Sequence, residues 1–215
     1  MLVNQKKITI LEISIFFILF MIAHTFEVYL NAHTLLKSHY ILALFVRLII
    51  WALPVILLTL KQNPLKYLKL YNNVFRGLTI GIITGLILIT LRCLIIYLIK
   101  GFITFNFNIS VGFWLNGIIF VGLSEEVVFR GYLLQKIESI SSFWIANIIS
   151  AFLFAIMHFP IWIMVKNLGA LEIISEIRSM IFMGLIFGYV FKKAQSLWSP
   201  IIVHSVNNFM SIVIN

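Results

Sequence analysis

Glu125 and Glu126 stand side by side in the run Glu125-Glu126-Val127-Val128-Phe129-Arg130, inside a stretch that is otherwise apolar. The chain has no Asp and only 7 acidic residues among 215, so a paired acid at this place needs a chemical reason. A charge at bilayer depth costs about 2.5–3.5 kcal/mol on insertion scales, and such groups face a bundle interior or a wet cavity. Two further polar clusters interrupt apolar segments, Phe154-Ala155-Ile156-Met157-His158 and His204-Ser205-Val206-Asn207-Asn208. An acid, two imidazoles and an amide on three segments make an inventory for hydrolysis. A Glu withdrawn from bulk water can serve as general base. Glu125 with His158 would hold and deprotonate a water, and His204 and Asn208, which share a helical face, would donate to the developing oxyanion. The same Glu125, His158 and His204 also match the two-His-one-Glu ligand count of some zinc hydrolases, so a metal-free and a Zn2+ version both stand.

Each cluster also has a plainer reading. The acids could be an interfacial charge group, His158 a hydrogen-bonded core residue with Phe154 packing one turn earlier, and His204 with Asn208 interhelical polar glue. Their coincidence on three segments favours a single site. Glu126 and Arg130 are i, i+4 and share a face, whereas Glu125 is turned about 100° away. That spacing predicts Glu126 neutralised by Arg130, with Glu125 free to project into the bundle. Other hydrolytic patterns fit less well. No His-Glu-x-x-His occurs, and the paired Asp of an aspartyl site is missing. A serine dyad of Ser124 in Gly122-Leu123-Ser124 with His204 would leave both acids and His158 unexplained.

The elements that must position these residues are apolar helices. Hydrophobic residues form 62% of the chain and charged ones 11%, against about 45–50% and 25% in soluble domains. Mean hydropathy is +1.09. The runs are continuous rather than alternating, which excludes a β-barrel and predicts an all-α polytopic bundle of about seven transmembrane helices. The expected spans cover about 8–30, 39–60, 77–99, 112–137, 142–163, 171–193 and 198–214. Lys6 and Lys7 resemble the start of a signal peptide, but the apolar run reaches Tyr29 without a small-x-small cleavage site and reads as a retained first span. Two parts follow, 1–111 with about three spans and a basic loop at 61–76, and 112–215 with about four spans and all three clusters. Pro64 fits the first turn of a short surface helix, and Pro160 a bend or end of the fifth span.

The net charge of +9 does not point to nucleic acid, because the bases lie mostly between spans. With the N-terminus inside, Lys6, Lys7, Lys61, Lys66, Lys69, Arg76, Arg130, Lys136, Lys192 and Lys193 fall on the cytoplasmic side, against Lys37, Lys100 and Lys166 outside. That bias predicts a plasma-membrane protein with a cytoplasmic N-terminus and an external C-terminus. Arg47, Arg92 and Arg178 fall within spans, where each would snorkel, line the cavity, or pair with an acid such as Glu12, Glu27 or Glu176. Cys93, the one cysteine, can form no intrachain disulfide.

The ordered runs Glu125-Glu126-x-x-x-Arg130, Phe154-x-x-x-His158 and His204-x-x-x-Asn208 resemble the CPBP family, the CAAX-protease and bacteriocin-processing membrane endopeptidases also called Abi or type II CAAX prenyl endopeptidases. The resemblance covers about residues 112–212. It implies an intramembrane endopeptidase with its cavity open to the cytosol, in which Glu125 and His158 activate water, and His204 and Asn208 stabilise the oxyanion. Glu126 and Arg130 then support the helix bearing Glu125. Family members have been described both as metalloproteases and as metal-free glutamate enzymes; no cofactor is the favoured expectation, with Zn2+ on Glu125, His158 and His204 as the alternative. The implied partners are the bilayer and a hydrophobic peptide or membrane-protein substrate, prenyl-like in the eukaryotic relatives. The bacterial ones are linked to bacteriocin self-immunity and peptide processing. A non-catalytic immunity or scaffold protein is the competing reading. A proton-coupled transporter is disfavoured because no internal repeat is visible.

Overall fold

Apolar runs of this length leave no choice but to satisfy their backbone internally, and in lipid that means helices. In the computed structural model, which describes residues 2–33 and 39–214, every regular element is helical, with one isolated antiparallel bridge between Phe105 and Ile214. The elements are α1 Leu2–His33, α2 Tyr40–Thr59, the short α3 Pro64–Tyr67, α4 Val74–Lys100, α5 over 111–138, α6 Phe143–Ile156, α7 Phe159–Met164, α8 Ala170–Ala194 and α9 Trp198–Val213. Among the described residues, Asn4–His33, Ile41–Gln62, Val74–Lys100, Phe143–Met164 and Ala170–Ala194 are each long and apolar enough to cross a membrane. Five of the expected spans therefore have this form. The expected fourth and seventh are helical too. However, α5 is interrupted by two π-helical stretches, Trp114–Phe120 and Val127–Leu134, and α9 has 16 residues.

The helix ends follow from local chemistry. Pro64 opens α3 after Asn63, which takes the left-handed φ of 57°. Gly101, at φ 78°, closes α4 by donating its N–H to Tyr97 O. Glu172 reaches back to the N–H of Gly169 at the start of α8, 2.8 Å away. Pro160 sits in the first turn of α7, so His158 occupies the break between α6 and α7 rather than the middle of a continuous helix.

Close approach of helices depends on small residues. Gly77, Gly81 and Gly85 of α4 face the turn before α9 and α9 itself; a Cβ on Gly81 would stand 2.9 Å from Ile202 Cβ. On α8, a Cβ on Gly184 would stand 2.9 Å from Ala151 Cβ of α6. The main core gathers Phe20, Trp51, Phe129, Phe154, Phe187 and Leu197, among others, around α5.

One end of the bundle collects the basic segments. Lys136 pairs with Glu12 at 2.8 Å, Lys192 pairs with Glu138, and Lys69 Nζ donates to Gln195 Oε1 at 2.8 Å. Trp198 Nε1 donates to Leu70 O at 2.9 Å, so the loop after α3 is fastened to the α8–α9 turn. Burial pushes the Lys69 ammonium below its ordinary range. Lys100 ends α4 at the opposite end from Arg76, and Lys37 lies outside the described residues.

Candidate active site

The two acids sit on the last turn of an α-helical piece of α5, Val121–Glu126, immediately before the second π-helical stretch. Such π segments are frequent at functional sites. Glu126 is fully buried, and its Oε1 accepts from Arg130 Nη1 at 2.8 Å, the i, i+4 pair expected from the spacing. The same Oε1 meets His204 Nδ1 at 2.8 Å. Arg130 is also fully buried; its Nη2 donates to Gly184 O at 2.9 Å, and its guanidinium lies 4.6 Å from the Phe154 ring centre and 5.0 Å from that of Phe187. Burial without such partners would be prohibitive for either charge. Arg130 therefore ties α5 to α6 and α8 while it neutralises Glu126.

His204 stacks on Phe187, with ring centres 4.8 Å apart, and presents its edge to Phe154 at 5.7 Å. Because a carboxylate only accepts, the Nδ1 contact makes that nitrogen the donor. The other nitrogen, Nε2, then faces Glu125, 3.7 Å from Oε2. That distance is too long for a hydrogen bond. Glu125 itself is buried and lies 3.6 Å from Arg47 Nη1 through Oε1. The expectation that Glu125 projects freely is thus modified: it has a guanidinium and an imidazole as neighbours, though Oε2 has no hydrogen-bond partner.

His158 is half-buried and joins the group from the α6–α7 break. Its Nδ1 lies 2.8 Å from Phe154 O, which can only accept, so Nδ1 carries the proton and Nε2 is left as an acceptor. The His158 and Phe154 rings meet edge to face at 5.0 Å, and Glu125, His204 and His24 are within electrostatic reach of His158. Asn208 lies one turn beyond His204, and its Nδ2 donates to Gly117 O at 3.1 Å, in the first π-helical stretch. Direct contacts therefore unite Glu125, Glu126, Arg130, Phe154, His158 and His204, while Asn208 is fastened one turn away.

Ser124 is not arranged as a nucleophile beside His204. Its Oγ donates to Phe120 O at 2.8 Å and meets Arg47 Nη1 at 3.4 Å. Among the described residues, no group of three His, Cys, Asp or Glu side chains is close enough to hold one metal ion.

The sequence reading does not include the polar groups of α1 and α2 that reach this site through Arg47. Glu27 is buried; its Oε2 accepts from Trp51 Nε1 at 2.7 Å and His24 Nδ1 at 3.1 Å, and its Oε1 is ion-paired with Arg47 Nε at 3.3 Å. The signal was present as spacing: His24 and Glu27 are i, i+3, and Arg47 and Trp51 are i, i+4. Glu27 is among the acids expected to pair with Arg47; the reach of Arg47 on to Glu125 depends on how α2 packs against α5. Arg92 instead donates to Ile214 O at 3.1 Å, and Arg178 meets Ser175 Oγ at 3.5 Å.

Residues 106–210 match the family model described as type II CAAX prenyl endopeptidase Rce1-like. That segment contains all three clusters and leaves α1, α2 and α4 outside it. No curated protein and no solved structure matches the chain.

Proposed function

We propose, from the match of residues 106–210 to the Rce1-like type II CAAX prenyl endopeptidase family, that the chain is a multi-pass membrane endopeptidase in which Glu125 is the general base. A water held between the Glu125 carboxylate and Nε2 of His158 gives a proton to Glu125 and attacks the scissile carbonyl carbon. The C=O π pair moves to oxygen, and His204 and Asn208 stabilise the resulting oxyanion; one such donor is typically worth about 2.7–4 kcal/mol. With Nδ1–H committed to Glu126, His204 donates there only when Nε2 also carries a proton. The cluster sets three carboxylates, Glu27, Glu125 and Glu126, against two guanidiniums, Arg47 and Arg130, so a second proton on His204 would balance its charge. The C–N bond then breaks, and the proton held by Glu125 passes to the leaving amine.

The observation that carries this reading is the convergence of α5 and α9: His204 lies 2.8 Å from Glu126 and 3.7 Å from Glu125, with Phe154 linking it to His158. Interhelical glue alone would need one such contact rather than an acid kept without a hydrogen bond on Oε2. The reaction is proposed without a metal, and Zn2+ on Glu125, His158 and His204 is the alternative that a chelator separates from it.

The substrate class proposed is a peptide with a hydrophobic or prenyl-like segment. A cleft of about 790 Å³ between α1 and α2 supports this reading. Its walls include Phe16, Ile50 and Leu57, its polar end holds the Glu12–Lys136 pair, and Phe20 closes it where that ring stacks on His24. The proposed orientation, N-terminus cytoplasmic and C-terminus external, follows the distribution of bases.

The decisive experiment is cleavage of a prenylated or hydrophobic peptide by the purified protein, comparing wild type with Glu125→Gln and His158→Ala, with and without a chelator. Each substitution should lower turnover by at least about 100-fold, and the chelator should leave the wild type unchanged. Equal turnover in all three proteins would overturn the catalytic assignment, and loss on chelation would overturn the metal-free reaction.

A further inference from the structure

The two adjacent acids each have their own guanidinium, and the two pairs are built differently. Glu126 is gripped by Arg130 at 2.8 Å, and both side chains are fully buried. Glu125 is approached by Arg47 at 3.6 Å, too far for a hydrogen bond, with Arg47 slightly open at 12% exposure. Arg130 comes from the same helix as its acid, four residues on. Arg47 comes from α2, 78 residues away and outside the family-matched segment.

Arg47 is not a loose cation. Its Nε stands 3.3 Å from Glu27 Oε1, its Nη1 reaches Ser124 Oγ at 3.4 Å, and its guanidinium lies 5.1 Å from the Trp51 ring centre. Glu27 in turn is fixed through its other oxygen by Trp51 Nε1 at 2.7 Å and His24 Nδ1 at 3.1 Å. The His24 and Trp51 rings meet edge to face at 5.0 Å. An ion pair that served only to join α1 to α2 would be complete with Arg47 and Glu27. The same guanidinium extends to a third helix, where it contacts two successive residues, Ser124 and Glu125.

We infer that Arg47 is the positioning residue for Glu125, held in place by Glu27, Trp51 and His24, so that α1 and α2 complete the site. The inference rests on the reading of Glu125 as general base. The looser contact suits a reactive acid. It offsets the carboxylate's charge at bilayer depth and fixes the side of Oε1, yet it leaves Oε2 without a hydrogen bond, free to take the proton of the attacking water. A hydrogen-bonded pair like Glu126–Arg130 would hold the acid ionised and occupied. The charged or titratable groups facing this unit are His24 and Glu27 from α1, Glu125 from α5, His204 from α9 and His158 from the α6–α7 break.

The test is steady-state peptide cleavage by the full-length protein, with thermal unfolding in detergent as the folding check. Arg47→Met should lower kcat by about 100-fold with KM within about twofold, the penalty typical of a misplaced catalytic group. Arg47→Lys, which keeps the charge but not the fork, should recover part of that loss. Glu27→Gln added to Arg47→Met should lower kcat no further, because Glu27 acts through Arg47. If Arg47→Met does not fold, Trp51→Phe reads the same chain, removing the Nε1 donor to Glu27 while keeping a ring, and should lower kcat. Unchanged kcat in folded Arg47→Met or in Trp51→Phe, or a raised KM alone, would overturn the inference. Glu125→Gln run in parallel separates the two ideas: full activity there overturns the reading of Glu125 itself. An inactive Glu125→Gln beside a fully active Arg47→Met overturns only the role of Arg47.

Discussion

A guanidinium and an imidazole share one oxygen of Glu126, each at 2.8 Å, so Glu126 joins α5 to α9 while Arg130 carries the link on to Gly184 O of α8. Removing the Glu126 charge leaves the fully buried Arg130 without an anion bonded to it, held only by neutral acceptors such as Gly184 O and by aromatic faces. Breaking a buried pair in this way typically costs about 3–5 kcal/mol. Glu126→Gln should therefore lower the unfolding temperature sharply and reduce activity as a consequence. Glu125→Gln should leave the unfolding temperature close to wild type and abolish turnover. Thermal unfolding and peptide cleavage measured on the same preparations check this split, and a Glu126→Gln protein as stable as wild type would refute it. The Glu126–Arg130 half of this asymmetry was legible in the spacing, because i, i+4 neighbours meet on any helix. The His204 half was not: a contact across 78 residues depends on how α9 is rotated against α5, which hydropathy does not encode.

The helices hold the site by close packing of small residues as well as by polar bonds. Gly184 of α8 lies where a Cβ would come within 2.9 Å of Ala151 Cβ and 3.0 Å of Ala151 Cα, and 3.3 Å from Arg130 Nη2. Backbone cannot yield as a flexible side chain can, so α8 must move away from α6. Gly184→Ala should cost about 1–3 kcal/mol by overpacking, and it should lower activity by loosening the Arg130 bond to Gly184 O. Gly169→Ala is the control: the nearest atom to its Cβ would be Glu172 Oε2 at 3.6 Å, so no overpacking arises and only the poorer N-cap should cost stability, about 0.5–1 kcal/mol. Chemical denaturation of the two variants in parallel checks the contrast. The helices themselves were legible, since long apolar runs broken at Asn63, Gly101 and Gly169 leave little choice. The π-helical stretches in α5 were not, because nothing in Trp114–Phe120 or Val127–Leu134 marks a shift from i→i+4 to i→i+5 bonding. Pro160 did signal the break after His158, but not that the break would turn Nδ1 back onto Phe154 O.

At the scale of the molecule, the charges and the fold agree on which ends belong together. Lys136 with Glu12, Lys192 with Glu138, and Lys69 with Gln195 tie α1, α5, α8 and the loop after α3 at one end, while α4 carries the chain from Arg76 to Lys100 at the other. Cytoplasmic loops carry the excess of Lys and Arg in membrane proteins, so the end with Lys61, Lys66 and Lys69 should face the cytosol. Two exposed polar positions test this directly: Asn72, just before α4, and Asn108, in the loop after it. With Cys93 replaced by Ala, a membrane-impermeant maleimide applied to intact cells should label Asn108→Cys and leave Asn72→Cys unlabelled. Inverted membrane vesicles should show the reverse. The opposite pattern in both preparations would invert the orientation and place the basic loops outside, against the charge bias. Labelling of both positions from one side would mean that α4 does not cross the bilayer. Each result bears on catalysis as well, because Glu125 lies about 20 Å along α5 from Glu138, given 1.5 Å per helical residue. A substrate segment must reach that depth from whichever face the basic end occupies, and the cleft between α1 and α2 runs from that end inward to Phe20.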